Sequence, residues 1–122
     1  MESTEYLKVI STPDYIDILF IVESKKIMKI GEEMQKRCEE AYMNGYNWEA
    51  FFNAYMKINC PEILEKLKTD AEAGSYSIIF EDVNEQTRSM SKQLFDRIKS
   101  LVENEQLIYD FMENHNTEIE WD

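Results

Sequence analysis

Histidine occurs once in the sequence, at His115, cysteine twice, at Cys38 and Cys60, and glycine three times, at Gly31, Gly45 and Gly74. Each scarcity removes a class of function. One imidazole and two separated thiols do not make a four-ligand zinc site, so no metal is expected. Three dispersed glycines cannot build a phosphate-cradling loop or a dinucleotide fingerprint, so no nucleotide cofactor is expected. Two cysteines are too few for the disulfide framework of a small secreted domain, and both are expected to be reduced thiols.

Cations are also scarce, with 13 Lys and Arg against 25 Asp and Glu and a net charge of -12. Affinity for nucleic acid comes mainly from basic side chains neutralising phosphates, so nucleic acid is excluded as a partner, and anionic membrane surfaces are disfavoured for the same reason. No apolar run approaches the roughly 20 residues of a membrane helix. The opening residues MESTEYLKVI lack the basic start and apolar run of a secretory leader. A cytoplasmic protein is expected.

What is present is a core. A hydrophobic fraction of 43%, with seven Tyr, six Phe and two Trp in 122 residues, suffices for one self-standing domain. The patterning predicts an α+β fold in which a small antiparallel sheet packs against several helices. Tyr6 to Ile10 and Tyr15 to Val22 alternate as two strands joined by the turn Ser11 to Asp14, the second apolar on both faces and so internal to the sheet. From Lys26 the period changes, and Ile27, Ile30, Met34, Cys38 and Ala41 form one helical face that Asn44-Gly45 is expected to end.

Asn47 then reads as the cap of a helix whose stripe is Trp48, Phe51, Phe52, Tyr55 and Met56, and Pro61 as the start of a short helix to about Lys68. Tyr76 to Phe80 is a third strand. Asp82 or Asn84 caps a long helix to Glu103, which restarts at Asn104 and carries Leu107, Ile108, Phe111 and Met112. The tail Thr117 to Asp122 alternates as a short edge strand.

Little of this supports catalysis. His115, between two asparagines, reads as an exposed turn residue without an organised partner, and Cys38 as a packed core thiol rather than a nucleophile. Carboxylate pairs such as Glu81/Asp82 and Glu118/Glu120 read as solvated surface. The protein is therefore expected not to be an enzyme. One charge feature is localised: between Ser100 and Asp122 stand seven acids and no Lys or Arg. The acids are interleaved with aromatics, which often dominate interface energy. Glu103, Asp110, Glu113, Glu118, Glu120, Trp121 and Asp122 are accordingly the candidate partner-binding residues.

Three strings, GYNWEAFFNAY at Gly45 to Tyr55, DAEAGSYSIIFED at Asp70 to Asp82 and EIEWD at Glu118 to Asp122, resemble in order and spacing the Immunity protein 51 family of bacterial polymorphic toxin systems. The N-terminal hairpin adds little to the likeness. The resemblance implies an α+β immunity protein, encoded beside a toxin delivered between competing bacteria, that protects its own cell by binding that toxin. It implies no catalytic residues, and Gly45, Trp48, Glu49, Gly74 and Trp121 are matching positions that structure or function would equally explain. Charge and resemblance meet in a stoichiometric inhibitor whose acidic face covers the active site, or a nearby exosite, of a basic toxin of the nuclease type. The alternative is an acidic adaptor or regulatory subunit of an endogenous complex. A third reading is a small hydrolase using His115 with a carboxylate.

Overall fold

The computed structural model describes residues 2–121. Strand β1 (Leu7–Ser11) turns into β2 (Ile16–Ile21), as the alternation predicted. Helices α1 (Lys25–Arg37), α2 (Gly45–Asn59) and α3 (Pro61–Leu64) follow, then strands β3 (Lys68–Ala71) and β4 (Ser75–Phe80), then helices α4 (Glu85–Glu103) and α5 (Glu105–Asn114). The four strands form one antiparallel sheet in the order β1-β2-β4-β3. The expected fold class, an antiparallel sheet packed against helices, is the one observed.

Period-two alternation decides how the sheet is used. Ile16, Ile18 and Phe20 of β2 lie opposite Phe80, Ile78 and Tyr76 of β4, and all six are at most 1% exposed. Helices α2 and α4 pack on the sheet, and the inner face carries an aromatic cluster. Phe20 stands 4.9 Å from Trp48 and 5.2 Å from Phe52, and Phe52 stacks 5.9 Å from Tyr76. Of the expected stripe, Trp48, Phe51, Phe52 and Met56 are fully buried and form core, while Tyr55 is half-buried at its edge, its hydroxyl accepting from Arg97 at 3.4 Å.

The outer face differs. Ile10, Asp17, Ile79 and Lys68 form one cross-strand row, and Lys8, Leu19, Ser77 and Asp70 form the next. None of these eight residues is buried.

Three expected helix boundaries are corrected. Helix α1 stops at Arg37, with Cys38 extended at its C-cap, and Ala41 is buried from the following loop. That loop turns at Met43, which has a φ of 54°, so the left-handed residue is Met43 and not Gly45. Gly45 is instead the first residue of α2, and Asn44 caps it by accepting from the Asn47 N–H at 2.9 Å. Asn47, expected as the cap, is buried and accepts from the Met43 N–H at 3.0 Å. Pro61 does begin α3, but that helix ends at Leu64, and Lys68–Ala71 is an edge strand. Its residues KTDA are too polar and too few for a recognisable alternation. Asn84, one of the two caps considered, forms a capping box with Thr87.

Candidate partner-binding surface

The C-terminal segment is built around an inward residue with acids on either side. After α5 the chain makes a single 3-10 turn, Asn116–Glu118, and Ile119 enters the core at 4% exposure, leaving Glu118 and Glu120 exposed. Trp121 is half-buried, and its indole N–H donates to Asn116 Oδ1 at 2.8 Å. The Cys38 thiol donates to the same oxygen at 3.4 Å, so Asn116 ties the tail to the end of α1. The expected edge strand over Thr117 to Asp122 is not formed among the described residues. The segment lies in the helix layer, where the in-out alternation of Ile119 and its neighbours serves packing on helices. Asp122 lies outside the described residues.

This geometry brings three expected site residues together. Glu118, Glu120 and Trp121 face Tyr46, Glu49, Asn53 and Lys57 of α2 across a groove of about 430 Å3. Tyr46 is 43% exposed. Sequence reasoning did not single out Tyr46 as a contact residue or place Glu49 with the acidic tail. The available signal was the spacing of 46, 49, 53 and 57, which marks the helical face opposite the buried aromatic stripe.

The remaining expected residues are dispersed. Glu103 accepts from the Tyr6 hydroxyl at 2.9 Å and stands 3.8 Å from the Lys26 ammonium. Burial, with Glu103 beside it, holds the Tyr6 phenol well above its ordinary pKa. Glu113 pairs with Arg37 at 2.9 Å, and Arg37 also binds Glu33 at 3.1 Å while lying 4.4 Å over the Tyr109 ring. The hydrogen bonds that Arg37 donates to Glu113 and Glu33 raise its pKa. Asp110 is exposed on α5 and accepts from Gln106 at 2.9 Å. The acidic run therefore gains cations from α1 that its own sequence window lacks, and only its last residues line the groove.

His115 also departs from expectation. It is half-buried, its Nδ1 stands 3.0 Å from Glu118 Oε1, and its ring lies 4.6 Å from that of Phe111. It thus has an organised partner in Glu118, one of the residues lining the groove. Both cysteines are unpaired. Cys38 is half-buried at a helix end and not within the helical stripe, while Cys60 is buried, and burial raises the Cys60 thiol pKa. Among the described residues no group of three or more His, Cys, Asp or Glu could hold a metal ion. No helix among them is long and apolar enough to cross a membrane.

With the fold and groove in place, comparison with known proteins gives one match: the family model for Immunity protein 51 fits residues 7–117. The chain belongs to the Immunity protein 51 family. No curated protein and no solved structure matches it. The family match begins in the β1-β2 hairpin, which had contributed little to the resemblance, and so ties the whole sheet to the family. It ends at Thr117, which leaves the EIEWD string outside the matched residues. Membership in the Immunity protein 51 family makes this an immunity protein, whose partner is a cognate toxin.

Proposed function

We propose that this chain is a cytoplasmic inhibitor of a basic, nuclease-type toxin, and that it acts by binding stoichiometrically and covering the toxin's active site or a nearby exosite. Family membership over residues 7–117 carries this reading. The net charge of -12 supports the choice of partner, because a toxin that handles polyanions needs a positive cleft that an acidic surface can occupy. The groove between α2 and the C-terminal segment is the proposed contact. It offers Glu49, Glu118 and Glu120 around two aromatic rings, Tyr46 and Trp121, with Lys57 as its one cation, a mixture suited to a rim of charge around aromatic anchors. Inhibition then needs no chemistry from this chain.

The test is titration of the purified toxin encoded beside this chain with increasing amounts of the chain, following nucleic-acid cleavage. Activity should fall linearly to zero at one equivalent, with both proteins co-eluting on size exclusion. Undiminished cleavage at excess would overturn the proposal.

A further inference from the structure

The two edges of the sheet end differently. In an antiparallel pair, successive residues turn their backbone N–H and C=O alternately toward the neighbouring strand and away from it. At the β1 edge the Ile21 N–H donates to the Tyr6 carbonyl at 2.8 Å, and the register carries that pairing on to Lys8 and Ile10, so Leu7 and Val9 turn their groups outward. The N-terminal segment meets them. The Leu7 N–H donates to Thr4 Oγ1 at 3.0 Å, the Leu7 carbonyl accepts from the Thr4 N–H at 2.7 Å, and the Val9 N–H donates to Ser3 Oγ at 3.1 Å.

The β3 edge is open. The Glu72 N–H donates to the Ser75 carbonyl at 2.9 Å, which by register makes Asp70 with Ser77, and Lys68 with Ile79, the hydrogen-bonded pairs. Thr69 and Ala71 therefore each direct an N–H and a C=O away from the sheet, and among the described residues nothing bonds to these four groups. Two donors and two acceptors alternating along an extended backbone are complementary to one kind of ligand, another extended backbone.

The side chains of β3 say what that strand carries. Thr69 and Ala71 lie opposite the buried Ile78 and Tyr76, so on their face an added strand continues the apolar side of the sheet. On the other face Lys68 is paired with Glu81 at 3.0 Å, which leaves the exposed Asp70 as the charge an incoming strand meets. A basic residue opposite it is favourable and an acidic one is not. A second copy of this chain, with its net charge of -12, is the poorer match, and a segment of a basic toxin the better one.

We infer that the β3 edge receives an extended segment of the partner toxin as a fifth strand of the sheet, with a basic side chain set against Asp70. The inference rests on the toxin-binding reading and adds to it a backbone contact that shares no residue with the groove.

The test follows amide hydrogen exchange by NMR in the chain alone and saturated with the purified toxin encoded beside it. The Thr69 and Ala71 amides should exchange fast in the free chain at every concentration and at least tenfold more slowly in the complex. Ala71→Pro removes one outward donor and none of the bonds to β4, and should weaken toxin binding at least tenfold. Asp70→Lys should weaken it likewise. Circular dichroism and thermal unfolding establish that each variant folds, and the exchange measurement needs neither of them. Fast exchange at both amides in a saturated complex would overturn the edge inference and leave the toxin reading standing, as would unchanged affinity of both folded variants. Protection that grows with the concentration of the free chain would make the occupant a second copy and overturn the inference equally. Failure of the unaltered chain to bind the toxin would overturn both.

Discussion

Gly45 lies so close to the carbonyl oxygen of Glu72 that a side chain at position 45 would collide with it, and its N–H donates to the neighbouring Ala73 carbonyl at 2.8 Å. The first turn of α2 is thereby pinned to the turn between β3 and β4. The obstacle is backbone on both sides, since the Ser75 carbonyl also stands 2.5 Å from the place a Cβ would occupy. Gly45→Ala should therefore destabilise by at least the roughly 1–3 kcal/mol of overpacking, read as a lower denaturant midpoint. A neutral substitution would show that the helix can lift off the turn at little cost.

The same pair shows what sequence periodicity can and cannot reveal. Asn44-Gly45 was legible as a boundary, because both residue types favour helix ends. Which end it was depended on Glu72, 27 positions further on, and no local pattern carries that contact. Likewise β2 and β4 announced themselves through Ile16, Ile18, Tyr76 and Ile78, whereas β3 was invisible. Its KTDA sequence is strand only because β4 offers it an edge. At the groove, Glu118, Glu120 and Trp121 were legible as acid beside aromatic. Tyr46 and Glu49 join them only through packing of the tail on α2.

Trp48 is fully buried, 4.9 Å from Phe20 and 5.6 Å from Phe52. Trp48→Ala should cost about 3–5 kcal/mol, the range for removing a large aromatic from a packed core. Equilibrium unfolding in urea measures it. Unchanged stability with lost toxin binding would move Trp48 from core to interface.

Asp17 gives stability a pH dependence of definite sign. Burial raises its pKa above the ordinary 3.8, so between those two values the folded chain binds more protons than the unfolded one, and stability falls as pH rises through that window. Asp17→Asn removes this term. The variant should match the unaltered chain at pH 3, where both carry a neutral side chain at position 17, and exceed it in stability at pH 7. Thermal melts across that range check this, and a variant less stable at pH 7 would show that the ionised carboxylate helps the fold.

The groove makes a kinetic prediction. Glu118 and Glu120 are exposed on either side of the buried Ile119, so their charge can act on an approaching toxin at long range, subject to screening beyond a Debye length of about 8 Å at physiological ionic strength. Glu118→Lys with Glu120→Lys should slow association and flatten its salt dependence while leaving the fold intact. Asp110→Lys reverses a charge that does not line the groove, and should slow association less than either groove reversal. Trp121→Ala should act mainly on dissociation, because an aromatic anchor contributes after encounter. Its own bond to Asn116 means that Trp121→Phe is the matching control, which loses that bond but keeps much of the ring surface. Stopped-flow measurements against the toxin at two salt concentrations separate the cases. Association rates indifferent to the Glu118 and Glu120 reversals would remove the groove as the steering surface, whatever the affinity of the complex.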